Sequence, residues 1–166
     1  MESHLENNKY YVPEISEFHV GFEYEYLTGF EKEFKPWIYD LASACTIIER
    51  ESISHNGEII KMFIPAIQAC VEEKQCRVKY LDRSNIESLG WKEETYNTIK
   101  GFIKNNKFLI VNYNYKTKPI VDISYFPIFK NQGLSRIFRG TIKNKSELIK
   151  LMQQLNINKT WNYLKT

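Results

Sequence analysis

The chain has 166 residues, enough for one domain to bury a core without metals or disulfides. Charged residues make up 26% and aromatics 14%, with only 7 Gly and 5 Pro, which excludes a low-complexity or linker-dominated chain. The net charge of +3 conceals an asymmetry: residues 1–60 hold 4 basic and 12 acidic side chains, residues 61–94 hold 6 of each, and residues 95–166 hold 13 basic and 2 acidic.

Cys45, Cys70 and Cys76 form no CxxC pair, and no signal segment is visible, so reduced thiols and a cytoplasmic location are expected. His4, His19 and His55 do not combine with them at zinc-ligand spacing. No apolar run approaches the roughly 20 residues of a membrane span.

Residues 1–13 are polar and irregular and read as a flexible start, followed by a single domain over 14–166. Phe18, Val20, Phe22, Tyr24 and Tyr26 alternate with His19, Gly21, Glu23 and Glu25, a period-two strand with one aromatic and one polar face. A second strand is expected from Pro36 to Tyr39, and 42–53 fits strand or loop equally. His55-Asn56-Gly57 is a turn, and Pro65 starts a helix running to about Lys74.

Arg77–Leu81 alternates as a strand, with Arg77 and Lys79 on one face and Val78 and Tyr80 on the other. Ser84-Asn85-Ile86-Glu87 fits a capping box for a short helix stopped at Gly90, with Asp82 serving the turn before it. Strands are then predicted over 98–103, 108–115, 120–126 and 137–142, with Asn105-Asn106 as the first turn. Asn144–Glu147 is a second capping box, and Leu148, Leu151, Met152 and Leu155 make an amphipathic helix. The expected class is α+β: a mainly antiparallel sheet of about five to seven strands with two to three helices, the last packed on the sheet.

Glu23 and Glu25 project from the same strand face about 7 Å apart, a spacing that could share a divalent metal, with His19 on that face as a third ligand. The bland reading is a solvated polar face. No P-loop, GxGxxG or other catalytic motif is present, so no catalytic residue and no cofactor are assigned.

The C-terminal part interleaves eleven aromatics with its cations. Tyr113 and Tyr115 form a pair on one strand parity, Arg136, Arg139 and Lys143 are among the cations of the same C-terminal part, and Arg77 and Lys79 add further cations. Aromatic faces stack with bases and cations neutralise phosphate, so these residues form a candidate ligand site. Compensation by the acidic N-terminal half explains the same charge numbers.

Three segments carry a resemblance: Glu17–Glu25 (EFHVGFEYE), Arg77–Trp91 (RVKYLDRSNIESLGW) and Gly140–Leu148 (GTIKNKSEL). Together they resemble a group of short uncharacterised proteins from bacteria and their phages. The resemblance implies a mobile-element origin, with no activity or residue roles to carry over. The expected function is a non-catalytic binding protein taking an anionic, nucleotide-type small molecule or a host protein on a basic aromatic C-terminal sheet, as an inhibitor or sequestering protein. The alternatives are a metal-dependent enzyme using Glu23 and Glu25, or a homo-oligomeric assembly protein. The acidic N-terminal half and the lack of a helix-turn-helix argue against long duplex nucleic acid as partner.

Overall fold

Antiparallel pairing organises every sheet in the computed structural model, which describes residues 9–29, 32–113, 118–127 and 133–157. Eleven strands in three sheets and four α-helices occur among the described residues, an α+β architecture. The chain divides into two units, residues 1–79 and 80–166, each with its own apolar core.

The first unit holds β1 (Tyr10–Tyr11), β2 (Glu23–Leu27), β3 (Phe34–Ile38), α1 (Leu41–Cys45), β4 (Ile47–Ile53), β5 (Ile59–Pro65), α2 (Ala66–Glu72) and β6 (Cys76–Lys79). A four-stranded sheet runs β1-β6-β2-β3, and β4 and β5 form a separate hairpin. Tyr24 pairs with Trp37, and Tyr26 with Lys35 and Cys76, so these side chains share one face. Phe22, Tyr24, Tyr39, Ile67, Cys70, Cys76 and Val78 make the core, with the Phe18 ring set edge-on against Phe22, Tyr24 and Tyr39. The opposite face carries Glu23, Glu25, Arg77, Lys79, Tyr10 and Phe34, as the registers require.

Several elements differ from the sequence expectation. The alternation from Phe18 is broken: Ile15–Glu17 is a 3-10 turn, Gly21 takes φ +89, and the strand begins only at Glu23. The left-handed glycine lets Phe22 N–H bond back to the His19 carbonyl at 2.9 Å, a reversal that a β-branched residue would resist. Tyr10–Tyr11, inside the segment read as flexible, pairs with β6, and the Tyr11 hydroxyl donates to Glu17 at 2.7 Å. Pro65 ends β5 and caps α2, so the helix begins one residue later, at Ala66.

The second unit holds α3 (Arg83–Ser88), β7 (Lys92–Tyr96), β8 (Ile99–Lys104), β9 (Lys107–Asn112), β10 (Ile120–Tyr125), β11 (Ser135–Thr141) and α4 (Lys145–Gln154). The five strands form a meander in the order β11-β10-β9-β8-β7. Asp82, not Ser84, caps α3: its carboxylate accepts from Asn85 N–H at 2.8 Å, in a reciprocal box with the Asn85 side chain. Asn144 caps α4 through Glu147 N–H at 2.9 Å. Leu148, Leu151 and Met152 of α4 pack with Ile86 of α3 and with Phe102, Leu109, Val121 and Ile123 of the sheet. Trp91 is enclosed there too, and its indole N–H donates to Met152 Sδ at 3.4 Å. Burying a side chain of this size contributes about 2–3 kcal/mol.

Phe108 lies on the other sheet face against Tyr96 and Phe126, with ring centroids 6.4 and 5.8 Å away. Gly101 makes room for that ring: a Cβ there would sit 2.6 Å from the Leu109 carbonyl and 2.8 Å from the Phe108 ring. No described helix is long and apolar enough to cross a membrane.

Candidate functional site

A concavity of about 560 Å³ lies in the first unit, between the Tyr24–Trp37 face of the sheet and α2. Strand parity supplies one wall: Tyr24 and Tyr26 from β2, Lys35 and Trp37 from β3. The facing wall takes Ala66, Ile67, Ala69 and Cys70 from α2, with Thr46 and Ile48 of the neighbouring segment. Where the short Ala66, Ala69 and Cys70 stand opposite the rings, they leave space that a larger side chain would fill.

Local capping fixes the rim. Asp40 caps α1, its Oδ1 accepting from both Ser43 N–H and Ser43 Oγ–H at 2.7 Å. Ser43 Oγ accepts in turn from the Trp37 indole N–H at 3.5 Å, holding the exposed indole at the groove mouth. These Ser43 bonds keep the Asp40 carboxyl below its usual range. Glu73, Gln75, Thr28 and Lys35 give the rim both charge signs and neutral polar groups.

The interior is uncharged. Burial pushes the Tyr24 phenol well above its usual range. The hydrogen bond with Cys76, then burial, raises the Cys70 thiol. Among the described residues no group of three His, Cys, Asp or Glu side chains could hold a metal ion.

The sequence-derived candidates fall in different places. Glu23 and Glu25 do share a face, but the Glu25 carboxylate accepts from Arg77 Nε at 2.6 Å. His19 does not join them, because it precedes the Gly21 reversal and lies off the strand. Arg77 is sandwiched between rings, its guanidinium carbon 3.8 Å from the Tyr10 centroid and 4.0 Å from that of Phe34. Lys79 stands two residues on, opposite Tyr10.

In the second unit Arg136 Nε donates to Asp122 Oδ1 at 2.9 Å, and Arg139 Nε approaches Oδ2 at 4.0 Å. The β10–β11 ladder causes this meeting: Asp122 faces Arg139, and a bulge beside Ile123 brings Arg136 opposite Ser124 on the same face. Tyr113 follows β9 on the Leu109–Val111 parity, away from that arginine pair. It is half-exposed, yet burial of its hydroxyl end and then the Asp82 carboxylate push its phenol up to about 12. Lys143 flanks α4, its N–H donating to Glu147 at 2.6 Å and its carbonyl accepting from Leu81 N–H at 2.7 Å. Tyr115 lies outside the described residues.

The sequence reading missed the groove because its two walls meet only through folding. Its one visible sign was the Tyr24–Tyr26 alternation. No protein-family model matches the chain, and neither a curated protein nor a solved structure does.

Proposed function

We propose that this protein is a non-catalytic binding protein that takes a flat, mainly apolar small molecule with a polar edge, of the nucleoside or heteroaromatic kind, in the β2–β3/α2 groove. The observation that carries this reading is the apposition of Tyr24, Tyr26 and Trp37 to Ala66, Ala69 and Cys70 across about 560 Å³. Ligand sites of this size are characteristically apolar with a few convergent polar groups. Thr28, Ser43 and Gln75 supply such groups at the rim.

The test is ligand-observed NMR with adenosine and indole as probes, on the wild type and on Ala66→Phe and Trp37→Ala. Saturation transfer to the wild type, lost in Ala66→Phe with the thermal melt unchanged, supports the site. No transfer to the wild type, or transfer that both substitutions leave intact, removes it.

A second reading keeps an anionic ligand on the C-terminal sheet. Arg136 and Arg139 are 56% and 57% exposed and share one carboxylate, leaving one positive charge for a phosphate group. Titration with AMP separates the two readings: binding abolished by Arg136→Gln with Arg139→Gln favours the sheet, and binding abolished by Ala66→Phe favours the groove.

A further inference from the structure

A second hollow, of about 470 Å³, opens in the first unit away from the groove. Tyr10, Phe34 and Arg77 line it, and the strand registers put all three on the sheet face opposite Tyr24 and Trp37. Lys9 and Lys74 bring two further cations to its wall. Among the described residues that line it, none is acidic.

Arg77 is fixed in place by its surroundings. Its Nε–H is committed to Glu25 at 2.6 Å, while Tyr10 and Phe34 hold the guanidinium between them, with ring centroids 3.8 and 4.0 Å from its central carbon. The remaining N–H groups, on the two Nη atoms, make no hydrogen bond among the described residues. A planar fork anchored at Nε and packed between rings offers its Nη edge, which matches two oxygens of one phosphate. Little ordering entropy is left to lose when an anion arrives.

Lys74 adds an independent sign. It follows α2 with φ +56, in the left-handed region where a helix C-terminus favours glycine or asparagine. A lysine at this position accepts backbone strain that glycine would avoid, and what it brings in exchange is an ammonium group at the pocket wall. Such strain concentrates at ligand sites.

We propose that this pocket binds the phosphate group of a small phosphate monoester, with the Nη edge of Arg77 on two of its oxygens and Lys9 and Lys74 neutralising the rest. Charge selects the ligand class. Glu25 neutralises one of the three cations, so two positive charges remain, the complement of a phosphate monoester near neutral pH. A single carboxylate would leave one of them unmatched. A volume of about 470 Å³ exceeds what the phosphate group alone fills and leaves room for the molecule that carries it. This inference is independent of the groove and of the Arg136–Arg139 pair.

The experiment is calorimetric titration of the full chain with ribose 5-phosphate, inorganic phosphate and ribose, with circular dichroism melts as a folding control. The wild type is expected to bind ribose 5-phosphate, inorganic phosphate more weakly, and ribose not at all. Lys9→Gln combined with Lys74→Gly should weaken ribose 5-phosphate by roughly tenfold or more. Its melt should stay close to that of the wild type, because both lysines are exposed and glycine suits the backbone at 74. Ala66→Phe in the groove, and Arg136→Gln with Arg139→Gln on the C-terminal sheet, should leave binding unchanged. No binding of ribose 5-phosphate by the wild type overturns the proposal. So does binding that the lysine variant leaves intact, or that the groove or sheet variants abolish, since the anion then sits elsewhere. Inorganic phosphate bound as tightly as the ester would make the free ion the ligand, and ribose bound as tightly would remove the phosphate from recognition; either result overturns the assignment.

Discussion

Arg77 and Glu25 face each other directly across the β2–β6 ladder, with Arg77 Nε donating to Glu25 Oε2 at 2.6 Å. Tyr10 and Phe34 clamp the same guanidinium from its flanks. The pair therefore joins β1, β3 and β6 to the central strand β2, a structural role for a cation that the sequence also allowed to be a ligand contact.

Removing that cation leaves a half-buried carboxylate without its partner and two rings without their filling. Arg77→Ala should cost about 2–3 kcal/mol, and Arg77→Lys roughly 1 kcal/mol, because an ammonium keeps the charge but not the plane. Urea melts read both values. Arg77→Ala combined with Glu25→Gln should cost less than the sum of the single changes. Strict additivity would show that the ion pair contributes nothing.

Gly101 tests how tightly the second sheet is closed. A methyl group there meets a backbone carbonyl at 2.6 Å and the Phe108 ring at 2.8 Å, and the carbonyl cannot move without breaking the β8–β9 ladder. Gly101→Ala should cost about 3 kcal/mol. Gly133→Ala meets nothing within 4 Å and should stay within about 0.5 kcal/mol of wild type. Equal melting temperatures for the two variants would contradict the packing described.

Asp40 gives a pH dependence with a definite sign. Its carboxyl titrates below the ordinary 3.8 in the folded chain, held there by Ser43. A lowered folded value means the stabilisation is fully present above the unfolded value and is lost as pH falls through the folded one. The melting-temperature gap between wild type and Asp40→Ala should thus narrow from about pH 7 to about pH 3. Because Ser43 also holds Trp37, the indole emission should change over the same range. A gap that stays constant would refute the carboxylate cap.

Much of the secondary structure was legible where local chemistry decides it. Asn144 with Glu147, ahead of Leu148, Leu151 and Met152, announces α4, and Gly57 announces its turn. Elsewhere tertiary pairing overrode the local signal. Ile60, Phe63 and Ile64 sit at helical spacing, yet they belong to β5, because β4 offers a register in which every residue from 59 to 65 finds a partner. The five-residue α1 has only its Asp40 cap to declare it. The edge strand β7, Lys92–Tyr96, is mostly charged and lacks the alternation that marks a half-buried strand. The groove was least legible, since nothing local tells Tyr24 that Ala69 will stand opposite.

Asp122 makes the last case, a carboxylate whose side chain is 10% exposed beneath two arginines that are more than half exposed. The two contacts are unequal: Arg136 makes a hydrogen bond at 2.9 Å, while Arg139 stands off at 4.0 Å. Arg136→Ala should therefore cost about 1–2 kcal/mol and Arg139→Ala about 0.5 kcal/mol. With either arginine present the buried charge keeps a partner. With both removed it has none, and the double variant should lose about 3 kcal/mol, more than the two single losses together. Urea titration of the three variants measures this directly. If the double variant merely adds, each arginine acts alone; if it exceeds the sum, they substitute for one another in neutralising Asp122.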